Sequence, residues 1–275
     1  MKLSFNEATC MKRSDTETDI RLCEKYGYDQ IELRLDMLQE YLKTNSLNDL
    51  RKLFDSLHIE PYAFNSIEDI NFNDQNSWGK LIDLFKFACE ASQAINNPYI
   101  VIVPTVLEQR SKYDEKEVFE DSVESINKLL EIAKPYGVKL SFEPIGDRRW
   151  VCNTMRQALE IVEAIDSEDL GLSIDSFNVY LADKCSDINF LEKIDLSRIF
   201  VYHIVDCEDL PLGILDHCHR LIPGDGIVPI RKFSDILKKK GFTDGASVEL
   251  FRPEYWDRDP EDVIKECAEK IRPFL

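Results

Sequence analysis

The chain reads as a (β/α)8 barrel, on three grounds. Short runs rich in apolar and β-branched residues alternate eight times with longer amphipathic runs along the 275 residues. No hairpin turn joins two consecutive short runs, so the strands read as parallel and linked by crossovers. The length suits one such barrel, typically about 250 residues. No Pro/Ser/Gly-rich linker, low-complexity tract or abrupt change in composition divides the chain, so residues 1–275 read as a single domain. An open doubly wound sheet is the alternative, but no GxGxxG follows the first strand to suggest a dinucleotide site.

The first strand is 3–5, leading into Asn6 and Glu7; a helix at 19–26 stops at Gly27, and strand two is 30–35. A helix at 47–57 precedes strand three at 61–65. Ser77 is expected to cap a long helix reaching Ile95, with Leu81, Leu84, Phe85 and Ala88 on one face. Strand four, 99–103, is continuously apolar, as strands buried on both faces tend to be. A charged helix over 114–135 turns Val118, Ile126, Leu129 and Leu130 inward, and strand five is 139–143. Helix 155–165 and strand six, 170–175, follow, and then a helix split across 178–191. Strand seven is 199–203, and an irregular stretch, 204–229, leads to a helix at 230–240. Strand eight is 245–250; Pro253 opens a loop, and a last helix runs over 260–272. Gly27, Gly137 and Gly241 each sit just past a helix and just before a strand, where a left-handed residue ends the helix.

Composition narrows the partners. A net charge of -18, spread along the chain, offers no basic face for nucleic acid or an anionic membrane. The eight cysteines are scattered without a CxxC pair, and no signal peptide or apolar run of the ~20 residues of a membrane span is present. A soluble cytoplasmic protein with reduced thiols is expected.

The C-terminal ends of barrel strands lie on one face, where catalytic groups gather. Strand five ends at Glu143 (KLSFEP), strand six at Asp175 (GLSID), strand seven at His203 (FVYH), and strand eight carries Glu249 (SVELF). A buried carboxylate such as Glu249 requires an arginine, a proton or a metal ion beside it. Singly, each acid could cap a helix or hold an arginine, and His203 could be a hydrogen-bonded core histidine. Adjacent strands are about 4.8 Å apart, so the four side chains can converge. Three converging carboxylates repel unless a cation is present, and carboxylate oxygens with one imidazole suit a divalent metal.

Other motifs are weaker. His217-Cys218-His219 resembles a zinc cluster but lacks a second pair, and reads as an exposed or substrate-lining loop. His58 falls on the opposite barrel face and reads as structural. Arg148 and Arg149 could neutralise an anionic group, whereas Pro223 to Gly226 (PGDG) reads as a turn rather than a phosphate grip.

MKLSFNEAT, LCEKYGYDQIELR, the DSF after strand six, VYHIVDCED, RLIPGDG and SVELFRPEY, in this order, resemble the xylose isomerase-like barrels. That family includes sugar-ketose 3-epimerases, inosose dehydratase and endonuclease IV. The resemblance runs end to end and is nearest to the branch that isomerises inososes in inositol catabolism. It implies metal ligands Glu143, Asp175, His203 and Glu249, and one divalent ion: zinc or manganese, with cobalt or magnesium also compatible. It implicates Arg220 in substrate binding, and Asn178, Arg252 and Glu7 are further candidate substrate contacts. Relatives usually carry histidine where Asn178 stands; asparagine cannot titrate, which argues against a multi-metal nuclease site.

The chemistry expected is proton transfer between adjacent carbons of a hydroxy-ketone through an enediolate, with Glu143 and Glu249 as base and acid. Ketose 3-epimerisation, dehydration of an inosose, phosphodiester hydrolysis and non-catalytic sugar binding are the rivals, in that order. The expected partner is a small polyol or ketose, not nucleic acid or membrane, with a monomer or homodimer implied by the resemblance.

Overall fold

In the computed structural model, which describes residues 1–107 and 112–275, eight parallel strands close into a barrel. The described residues form ten strands, eight of them in the barrel: β1 (Lys2–Asn6), β2 (Gln30–Arg34), β3 (Glu60–Ile67), β4 (Tyr99–Ile102), β5 (Lys139–Phe142), β6 (Leu170–Asp175), β7 (Ile199–His203), β8 (Asp206–Cys207), β9 (Arg220–Leu221) and β10 (Gly245–Val248). The barrel runs β1-β10-β7-β6-β5-β4-β3-β2 and back to β1, while β8 and β9 pair only with each other, antiparallel. That ribbon gives order to part of the stretch expected to be irregular.

The helices are α1 (Thr16–Lys25), α2 (Leu35–Tyr41), α3 (Leu47–Asp55), α4 (Gln75–Ile95), α5 (Glu115–Ala133), α6 (Met155–Ile165), α7 (Ser176–Asp183), α8 (Ile230–Lys240), α9 (Pro253–Trp256) and α10 (Pro260–Ile271). Alternate strand residues point to opposite faces. Phe5 points outward, edge-on to Tyr28, whose hydroxyl donates to the Ile264 carbonyl in α10. Its neighbours Ser4 and Asn6 therefore point inward. The base of the barrel is filled by Tyr62, Val101 and Phe200, with the Tyr62 hydroxyl donating to the Phe200 and Gly245 carbonyls. With that end closed, the opposite end is the one open to chemistry.

Several boundaries differ from expectation for identifiable reasons. Asp74, not Ser77, caps α4: its carboxylate accepts the Asn76 and Ser77 N–H groups and complements the helix dipole. α2 fills part of the gap after strand two, and α7 begins at Ser176 because Asp175 caps it. The 178–191 stretch does split, its second part being a 3-10 segment, Ile188–Lys193. Pro253 does not open a loop. It occupies the first turn of α9, where its missing N–H would have had no helical partner. Gly27, Gly137 and Gly241 have φ of +69°, +70° and +87°, the left-handed values that end their helices. Among the described residues no helix is long and apolar enough to cross a membrane.

Candidate metal centre

Strand register brings the four ends together. Asp175 lies directly beside His203 in the β6–β7 ladder, and Glu143 continues β5 by donating its N–H to the Ile102 carbonyl. His203 Nδ1 stands 3.3 Å from Glu143 Oε2, 3.8 Å from Asp175 Oδ2 and 3.7 Å from Glu249 Oε2. All four side chains are buried, and one ligand atom from each lies within 4.8 Å of the others. Ligands each about 2.1 Å from one ion at tetrahedral angles stand roughly 3.4 Å apart, so these separations match a shared cation. Neither His203 Nδ1 nor Asp175 Oδ2 makes a hydrogen bond among the described residues, and Asp175 Oδ2 is met only by the Arg220 ion pair. Buried charges cost several kcal/mol each unless compensated, so the donor set fits one divalent ion.

The other side of each ligand is held. Asp175 Oδ1 accepts the Asn178 N–H at 2.9 Å, which turns Oδ2 toward the centre. The Asn178 side chain donates to Glu143 Oε1 at 3.0 Å. Glu249 Oε1 accepts from Asn65 at 2.8 Å and Asn6 at 3.2 Å. His203 Nε2 meets Glu32 Oε2 at 3.2 Å. Arg220 Nη1 donates to Glu249 Oε2 at 2.8 Å and to its carbonyl at 3.0 Å, and lies 3.0 Å from Asp175 Oδ2. Of the partners left open for Glu249, arginine is therefore present, yet one guanidinium does not neutralise three carboxylates.

Burial pushes Glu143 up to about 7, with Glu249 and Asp175 adding to it and His203 opposing. Burial also raises Asp175, against the pull of Arg220 and His203. At Glu249 burial pushes the same way, but His203 and Arg220 outweigh it and hold the carboxyl below its usual value. Burial would lower His203; Glu32, Glu143 and Glu249 instead raise it well above the ordinary imidazole value. The carboxylates and the histidine are thus electrostatically one unit.

Above the centre opens a cleft of about 250 Å³, lined by Glu143, Glu249, Arg220, Asn65, His217 and Trp150 among others. Arg220 is fully buried over the rings of Phe177 and Phe251, with Nε and Nη2 unpartnered. Three expected substrate contacts are placed elsewhere. Asn178 is behind Glu143 rather than in the cleft wall. Arg252 is engaged by Glu208 at 2.6 Å and Glu254 at 3.2 Å. Glu7 is fully buried away from the cleft, accepting the Arg34 N–H at 2.6 Å. Arg149 is likewise committed, to Asp147. Gly224 and Gly226 donate to the Asp206 carboxylate, so that turn wraps an acid, not a phosphate. His58 is an exposed partner of Glu24.

The family model described as "Xylose isomerase-like TIM barrel" matches residues 20–274. The "Inosose isomerase" of Halalkalibacterium halodurans is 42% identical over 96% of this chain and 93% of its own length. That of Bacillus subtilis is 41% identical over 96% of this chain and 94% of its own. A solved structure described as IOLI protein "with a binding zinc atom" superposes with a TM-score of 0.95 at 40% identity, covering 100% of this chain and 98% of that one.

Proposed function

The chain belongs to the xylose isomerase-like TIM-barrel family, and on that premise we propose that it is an inosose isomerase acting on 2-keto-myo-inositol. The observation that carries this reading is the buried Glu143–Asp175–His203–Glu249 cluster under an open cleft. The four residues would hold one divalent ion, zinc by analogy with the neighbouring structure. That ion supplies Lewis-acid stabilisation of negative charge developing on adjacent substrate oxygens.

Glu143 and Glu249 stand on opposite sides of His203, each with Oε1 fixed by amide donors and Oε2 turned to the centre. One removes the proton from the hydroxyl-bearing carbon, and its electron pair forms the enediolate. The other delivers a proton to the former carbonyl carbon, while the hydroxyl proton passes between the two oxygens. One C–H bond breaks, one forms, and the ketone moves by one carbon. Arg220, a lining residue of the cleft, would bind a substrate oxygen, and Ile145, Trp150 and Phe251 would exclude water.

Among the described lining residues Arg220 is the one arginine or lysine, whereas Glu68 and Asp69 are acidic. That balance favours a neutral polyol over a phosphorylated sugar. The enzyme is further proposed to be a single barrel domain, cytoplasmic, and a monomer or homodimer. Incubation with 2-keto-myo-inositol in D₂O, followed by NMR, tests the reaction. A new ketone with deuterium on the former carbonyl carbon is expected. Deuterium confined to the original carbon, with inverted configuration, would replace isomerisation by epimerisation.

A further inference from the structure

His217 lies in the same cleft wall as Arg220, and neither the metal centre nor the acid/base pair uses it. A tight turn fixes its backbone: the Asp216 carboxylate accepts the His217 N–H, and His219 Nδ1 accepts the Asp216 N–H. Three aromatic rings from separate segments surround the imidazole: Trp150, Phe177 and Phe251, with centroids at 6.1, 5.8 and 5.7 Å. Packing alone would be served as well by phenylalanine. Yet among the described residues neither ring nitrogen has a hydrogen-bond partner, although the side chain is half-buried beside an ion-pair network. Burial, reinforced by Arg220, holds its pKa down at about 4, so the ring is neutral and presents one donor and one acceptor.

We propose that His217 recognises a hydroxyl of the polyol on a carbon other than the two that react. A hydroxyl also both donates and accepts, so it complements a neutral imidazole better than a carboxylate or a phosphate would. The oxygens on the two reacting carbons would be taken up at the Glu143/Asp175/His203/Glu249 centre, which would leave the ring's remaining hydroxyls for the wall. This inference rests on the reading of the cleft as a polyol site.

The test pairs His217→Phe, which keeps the ring packing, with His217→Gln, which restores a donor and an acceptor. Calorimetric titration of zinc-loaded protein with myo-inositol, which cannot react, reads recognition without turnover. His217→Phe is expected to weaken binding at least tenfold and to raise KM for 2-keto-myo-inositol similarly, with kcat within about threefold. His217→Gln is expected to recover part of the loss, and zinc stoichiometry to stay at one throughout. Equal myo-inositol affinity in wild type and His217→Phe, no measurable affinity in either, or loss of zinc from the variant would each overturn the proposal. Wild-type protein that binds myo-inositol through His217 but fails to convert the inosose would instead overturn the assigned reaction and leave this contact standing.

Discussion

Glu32 Oε2 stands 3.2 Å from Nε2 of His203, a contact across the barrel interior between strands three places apart, with both side chains fully buried. An imidazole that gives its Nε2–H to a carboxylate keeps its lone pair on Nδ1, the atom facing Glu143, Asp175 and Glu249. Glu32 thereby sets the ring orientation and tautomer that metal binding requires. Glu32→Gln is expected to reduce zinc affinity about 10- to 100-fold in a chelator-competition titration, with the apoprotein's circular dichroism unchanged. Wild-type affinity in that variant would show that Glu32 is only packing.

Glu143 and Glu249 are expected to be individually indispensable to turnover. Glutamine keeps the shape and the amide contacts from Asn178 or Asn65 but cannot carry a proton. Each substitution should lower kcat by about 10²- to 10⁴-fold, the usual contribution of a positioned acid or base. Near-normal rates in both variants, measured with zinc present and stoichiometric, would exclude these two residues as the proton carriers.

The barrel and the convergence of Glu143, Asp175, His203 and Glu249 were legible because each depends on a local signal: alternation of runs, glycine stops, and an acid or histidine at a strand's C-terminal end. What escaped is the set of groups that act on the ligands. Glu32 sits mid-strand in QIELR and looks like any exposed strand acid until the closed barrel turns it inward. Asn6 and Asn65 offer no charge to notice, yet they orient Glu249, and Asn178, expected to meet substrate, instead orients Glu143. A signal for the interior was present in Ser4-Phe5-Asn6, Ser141-Phe142-Glu143, Ser173-Ile174-Asp175 and Ser247-Val248-Glu249. In each, a small polar residue precedes the ligand or its partner by two positions, and Ser141 and Ser173 do hydrogen-bond to one another at 2.8 Å. Glu7 and Arg252 mislead for the opposite reason. Their proximity to the site along the sequence does not give spatial access, because the 3-10 turn that follows β1 and the Glu208 ion pair direct them elsewhere.

Arg220 shares Asp175 and Glu249 with the ion the centre would hold, so losing the arginine and losing the metal should be coupled. Removing one partner of a buried ion pair costs about 3–5 kcal/mol, because the other charge is stranded. Arg220→Met is expected to lower the melting temperature by about 10 °C in chelator-treated protein and by much less with zinc added. Chelation of the wild type should abolish turnover and also lower its melting temperature. A zinc-independent loss in Arg220→Met would show that the two cations do not share the carboxylates.

Asp19 gives a pH test that is independent of the metal centre. It is fully buried in α1, accepts from the Ser14 hydroxyl at 2.5 Å, and has Oδ2 unpartnered. Burial pushes its pKa up to about 8, with Asp15 adding to it and the Ser14 hydrogen bond opposing. The nearby Glu7 is raised as well, by burial first and then by Asp19. The sign follows from proton uptake: between about pH 4 and pH 8 the folded chain keeps a proton on Asp19 that the unfolded chain releases. Stability from this group is therefore lost as pH rises through that window and levels off above it. An asparagine side chain cannot ionise, so Asp19→Asn should match wild type near pH 4 and gain steadily toward pH 8. At ~1.4 kcal/mol for each pH unit crossed, with Glu7 sharing part of the effect, the gain should reach a few kcal/mol. Denaturant unfolding of both proteins at pH 4.5, 6 and 8 reads the difference directly, and titrations common to both chains, those of the metal ligands included, cancel in it. Parallel stability curves would mean that Asp19 is ionised in the fold, with its charge compensated by a group other than Ser14.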